Sequence, residues 1–259
     1  MEYLSLDKKK DYVIVQMNRP KVNALNEQMV AEIRQTFQTL EKDETAKGVI
    51  LTGLPNYFSA GLDLIELYNY DKARMREFFI AFSMMHIEMA RFTKPYICAI
   101  TGHSPAGGCV MAIAADYRVM ADDPKFTIGL NEIAVNIQIS RNLIEAYAYW
   151  IGRSKANEFI LEGKLLTAQE ALHSELVSHI CPVDEVLGEA EKKMQQYMLA
   201  DTSIFKNTKK KLRHNWLTSI VFDEAELVEA MNIWWDPEVR KRMSAFVEFL
   251  KNKSKSKVG

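Results

Sequence analysis

Cysteine is scarce in this chain. There are three, Cys98, Cys109 and Cys181, each in an apolar segment and none in a CxxC pair. Such thiols read as buried and free, in a reducing compartment, rather than as metal ligands. No His, Cys and Asp cluster has ligand spacing, so no metal is expected. Long apolar runs are also missing, which leaves no candidate transmembrane helix. Charge of one sign is lacking too: 33 Lys and Arg face 34 Asp and Glu, for a net charge of −1. Neither nucleic acid nor an anionic membrane is therefore expected as a partner. The opening "MEYLSLDKKKDYVIV" has the layout of neither a signal peptide nor an Arg-rich transit peptide. Together with the thiols, this sets the expectation of a cytoplasmic protein. Three motifs are absent: GxGxxG, GxxxxGK[ST] and GxSxG. Dinucleotide binding, P-loop chemistry and a nucleophile elbow thus have little support.

What is present is an ordinary globular composition, 48% hydrophobic and 26% charged over 259 residues. That length allows one large domain, or one domain with an appendage. The stretch "YVIVQM" at 12–17 reads as a strand, preceded by a "KKKD" hairpin turn from "YLSL". A helix follows in "NEQMVAEIRQTFQTLEKD", where Asn26 can cap and Met29, Val30, Ile33, Phe37 and Leu40 share a face. "GVILT" is a buried strand, residues 73–92 an amphipathic helix, "YICAIT" a strand and "CVMAIAA" a helix. "YRVMA" is the next strand. Repeated strand–turn–helix units indicate an α/β fold. After Ser140 the pattern is mostly helical, interrupted by the strand-like "LVSHICPV". The expected division is an α/β core over 1–195 and a helical C-terminal region over 196–259. Apolar stripes on the latter would need a partner, which makes oligomerisation the expectation.

Two junctions could carry chemistry, "FSAGLDL" and "SPAGGCV". Each places small residues where the chain turns into a helix N-terminus. The first N–H groups there are unpaired and the helix dipole is positive. If the N–H groups of Leu62 and Gly107 converge, they form an oxyanion hole. Alternatively, each junction is an ordinary tight turn with glycine supplying left-handed φ. The basic "NTKKKLRHNW" is either a solvated helix face or a steering surface for an anion.

Several segments together resemble the crotonase (enoyl-CoA hydratase/isomerase) superfamily. They are "RPKVNALN", "GVILTGLPNYFSAGLDLIEL", "ITGHSPAGGCVMAIAADYRVMADDPKFTIGLNE" and "EGKLLTAQEALHSELVSHICPVDEV", in family order across about 10–190. Within it, "FSAGLDL", "PAGGC" and "GLNE" are most similar to Δ3,Δ2-enoyl-CoA isomerases of the mitochondrial type. The resemblance implies a crotonase-like ββα superhelix with a C-terminal helical region that builds a homotrimer or a dimer of trimers. It implies an acyl-CoA substrate, with coenzyme A part of that substrate and no separate cofactor. It assigns the enolate to the N–H groups of Leu62 and Gly107. Where family hydratases carry a glutamate, this chain has Val110. The second family glutamate matches Glu132, in an apolar setting of Phe126, Ile128, Leu130, Ile133 and Val135. Desolvation there would raise its pKa toward that of a useful base; otherwise Glu132 is a surface strand residue. One carboxylate suffices to move a double bond from position 3 to position 2, whereas family hydratases use two; the alternatives are other crotonase chemistry (hydration, decarboxylation or thioester hydrolysis) or acyl-CoA binding without catalysis. Lys21, Val22, Ala24, Ala60 and Asp63 match residues along the CoA moiety, and Gly108 adjoins the second turn. Lys251 or Lys253 could reach phosphates. Asn136 and Gln138 are polar where an acyl pocket would be apolar. His103, Asp63 and Glu66 are alternative acid–base groups, with Asp63 also a candidate helix cap.

Overall fold

The computed structural model describes residues 1–255, with side chains through Asn252. Ten strands are present among them: β1 (Leu4–Lys8), β2 (Val13–Met17), β3 (Val49–Thr52), β4 (Asn56–Tyr57), β5 (Tyr96–Ile100), β6 (Gly102–Pro105), β7 (Tyr117–Ala121), β8 (Thr127–Gly129), β9 (Leu166–Thr167) and β10 (His179–Cys181). The helices are α1 (Glu27–Lys42), α2 (Leu64–Leu67), α3 (Lys72–Arg91), α4 (Gly107–Ile113), α5 (Arg141–Ile151), α6 (Arg153–Glu162), α7 (Ala168–His173), α8 (Val186–Tyr197), α9 (Thr202–Leu212), α10 (His214–Ser219), α11 (Glu224–Trp234) and α12 (Pro237–Lys255).

A six-stranded sheet runs β1-β2-β3-β5-β7-β10. Its first pair is antiparallel and the rest are parallel. Every residue of β3 and β5 is buried, as expected for continuous apolar runs in a parallel sheet covered by helices. The hairpin between β1 and β2 and the helix capped by Asn26 form as the sequence indicates. The Asn26 side chain accepts from the Met29 N–H at 3.0 Å, and the predicted apolar face of α1 is buried.

A second, four-stranded sheet runs β4-β6-β8-β9. The stretch "GHSPAGG" is expected from its composition to be wholly a turn; its first four residues are instead β6. β4, β6 and β8 have two, four and three residues and no long β-branched run, so they leave little pattern to read. Each follows a strand of the large sheet, and a helix follows the small strand. The result is the crotonase-like ββα superhelix with its helical C-terminal region.

All three cysteines are buried and free. No described helix is long and apolar enough to cross a membrane.

Candidate active site

β4, β6 and β8 lie side by side and parallel. Their C-terminal ends therefore point the same way, and each releases the chain toward one candidate. Leu62 follows β4, Gly107 follows β6 and Glu132 follows β8. All three line one pocket.

The two turns approach closely. A Cβ added to Gly107 would lie 3.3 Å from the Gly61 Cα and 2.7 Å from Leu25 Cδ1. Ala106, at φ 45°, and Gly61, at φ 84°, hold the left-handed backbone that makes both turns sharp. The Ala106 N–H donates to the Gly129 carbonyl at 2.8 Å, locking the turn to β8. The neighbouring Gly61 and Asp63 N–H groups donate to Ser59 Oγ and the Leu25 carbonyl. Among the described residues, the Leu62 and Gly107 N–H groups have no acceptor. Two unpaired donors from adjacent turns suit an oxygen that gains negative charge.

Glu132 opens a short 3₁₀ turn (Glu132–Val135) and is 6% exposed. Its Oε2 is buried without a hydrogen-bond partner. Burial pushes its carboxyl up to about 7, against a weaker opposite pull from its own backbone N–H. Phe126, Ile128 and Leu130, which precede it in the chain, are buried, whereas Ile133 is 48% exposed. Glu132 is thus a buried carboxyl on a 3₁₀ turn rather than a surface strand residue.

The other candidates are placed as follows. Gln138 lines the pocket with its Oε1 buried and unpaired. Asn136 is not in the lining; it closes the 3₁₀ turn in the left-handed region at φ 61°. Gly108 is also outside the lining, because its Cα packs against β6 and the Ser59 turn. A Cβ there would meet Ser104 Oγ at 2.8 Å and the Ser59 carbonyl at 3.0 Å. Lys21, Val22, Ala24, Ala60 and Asp63 lie outside this pocket. They form two runs joined by the Ala60 N–H to the Val22 carbonyl at 2.9 Å. Lys251 is exposed on α12, and Lys253 lies outside the described side chains.

The alternative acid–base groups are engaged elsewhere. Asp63 caps α2 through the Glu66 N–H at 3.0 Å and pairs with Arg19 at 2.7 Å. Burial raises the Glu66 carboxyl, but hydrogen bonds from Tyr70 and Asn26 with the Arg19 charge outweigh it and hold it low. His103 packs beside Tyr57 and Phe126, away from the pocket lining.

His86 is the group that the sequence reading missed. It lines the pocket from α3, 1% exposed, with Phe79, Phe82 and Ser83 on the same helix face. Its Nδ1 lies 3.1 Å from the Val110 carbonyl, and its Nε2 is buried and unpaired. The clue was a polar Ser and His at helical spacing in the apolar stripe "FFIAFSMMH". The helical pattern of α11 is legible in the sequence but its place in the site is not: α11 packs on α3, and its Leu227 and Ala230 line the pocket.

The model of the enoyl-CoA hydratase/isomerase family matches residues 7–257. The chain belongs to that family. The mouse mitochondrial enoyl-CoA delta isomerase 1 is 31% identical over 242 residues, covering 93% of this chain and 84% of the mouse protein. A probable enoyl-CoA hydratase of Mycobacterium leprae is 34% identical over 181 residues, 69% of this chain and 68% of its own. The crystal structure of human mitochondrial delta3-delta2-enoyl-CoA isomerase superposes with a TM-score of 0.93 at 27% identity. That match covers 97% of this chain and 99% of the human one. The family therefore admits both isomerases and hydratases as relatives.

Proposed function

We propose that this enzyme converts a 3-enoyl-CoA to the 2-enoyl isomer with Glu132 as its single acid–base group. The observation that carries this reading is the buried, unpaired Oε2 of Glu132 in one pocket with two unpaired N–H donors. Ionised Glu132 takes a proton from C2. The C2–H electron pair moves into the thioester, whose oxygen carries the negative charge between the Leu62 and Gly107 N–H groups. The charge then returns through the conjugated system, and Glu132 delivers its proton to C4. The double bond now lies between C2 and C3, and no atom is gained or lost.

Val110 supports isomerisation over hydration. It is fully buried and apolar where the hydratase resemblance expects a second carboxylate to hold water. Coenzyme A enters with the substrate along the Lys21–Val22–Ala24 and Ala60–Asp63 runs, and no other cofactor takes part. The working assembly is a homotrimer or a dimer of trimers.

The test is to incubate the protein separately with 3-hexenoyl-CoA and 2-hexenoyl-CoA and resolve isomer from hydroxyacyl product. Isomer from the first and little hydroxyacyl product from the second is expected. Hydration as fast as isomerisation would assign the pocket to a hydratase.

A further inference from the structure

His86 is a buried polar residue for which a plain hydrocarbon chain supplies no partner. The Nδ1 faces a carbonyl oxygen, which can only accept, so Nδ1 carries the proton. Burial keeps the ring neutral, with its pKa pushed down to about 4. The Nε2 lone pair is therefore an acceptor, and it is buried without a donor. Gln138 adds a second unpaired oxygen in the same pocket, and its amide can present either end. Ser83, one helical turn before His86, brings a hydroxyl to the same wall. The residues assigned to the CoA moiety lie outside this pocket. The space reached by His86 thus belongs to the acyl part.

We infer that the acyl group this enzyme accepts carries a hydroxyl that donates to His86 Nε2, with Ser83 and Gln138 able to complete its hydrogen bonds. Leaving a buried acceptor unpaired disfavours an alkyl chain relative to its hydroxylated counterpart. Sites built around a substrate hydroxyl discriminate strongly against analogues that lack it. His86 is then a specificity residue. It rests on the acyl-CoA reading above, although its test does not require turnover.

Binding is measured by calorimetry for saturated acyl-CoAs from butyryl to octanoyl length, each with and without a terminal hydroxyl, and for coenzyme A alone. The wild type is expected to bind at least one hydroxylated member roughly ten- to a hundredfold more tightly than its alkyl counterpart. His86→Asn keeps an N–H for the Val110 carbonyl and removes the acceptor at the Nε2 position. It should bring that ratio close to one. Equal binding of both ligand types by the wild type overturns the inference and leaves a buried water as the occupant of the site. A ratio unchanged in His86→Asn overturns the role of His86. Weaker binding of coenzyme A alone to the variant moves the donor to the pantetheine arm and also overturns it. If His86→Asn does not fold, the wild-type ratio alone decides. Binding of no acyl-CoA removes both readings. Turnover of 3-hexenoyl-CoA without hydroxyl preference removes only this one.

Discussion

Glu132 and His86 share a pocket and are both shifted by burial, in opposite directions of pKa and toward the same neutral state. For Glu132 this carries a stability cost. Its carboxyl rises from 4.5 to about 7 on folding, so the folded state holds a proton that the unfolded state releases across that window. Stability therefore falls as pH rises through the window, by an amount on the order of 3 kcal/mol. Glu132→Gln removes the titration. Its melting temperature relative to wild type should increase between about pH 5 and about pH 8. A difference constant with pH would mean that the carboxyl is solvated. Glu132 was legible through the family resemblance and its apolar neighbours. His86 was not, because a histidine on a helix face shows its role only once tertiary packing brings α3, α11 and the Glu132 turn around one pocket.

At the scale of elements, the long strands and helices could be read from periodicity, and the small sheet could not. β4, β6 and β8 are too short for a pattern, yet their parallel alignment sets all three candidates at one end. The two glycine turns were visible as composition; their convergence was a matter of tertiary packing. Asn136 belongs to this scale. Its left-handed φ of 61° at the end of the 3₁₀ turn is a conformation that asparagine and glycine tolerate and β-branched residues resist. Asn136→Gly should change stability by less than about 1 kcal/mol, and Asn136→Val should destabilise by about 1–2 kcal/mol. Melting curves and turnover of both variants check this. Loss of turnover in a well-folded Asn136→Gly would return Asn136 to substrate binding, the role its polarity suggests.

Across the whole molecule, the C-terminal helices do more than cover the core. Asp116, just before β7, pairs with Lys209 at 2.6 Å and Arg213 at 2.8 Å, which ties the C-terminal end of α9 to the start of that strand. α11 packs on α3 and completes the pocket. The division at 195 assigns the helical region to assembly alone, whereas part of that region lines the site. Exposed Leu199 between α8 and α9, Ile204 and Leu212 on α9, and Phe249 on α12 leave apolar surface on this region. We expect light scattering at micromolar concentration to give three times the chain mass of 29.7 kDa, or a multiple of that. A monomer would contradict the proposed assembly.

In the proposed reaction one buried carboxylate, Glu132, performs the whole proton transfer. The most direct measurement is the pH dependence of kcat/KM for 3-hexenoyl-CoA isomerisation, in wild type and in Glu132→Gln. A base must be ionised to act, so the wild-type rate should rise with pH and level off above the Glu132 value of about 7. In Glu132→Gln the rate should fall by ~10²–10⁴ and lose that rise. Near-wild-type turnover with the same pH profile in Glu132→Gln would contradict the account.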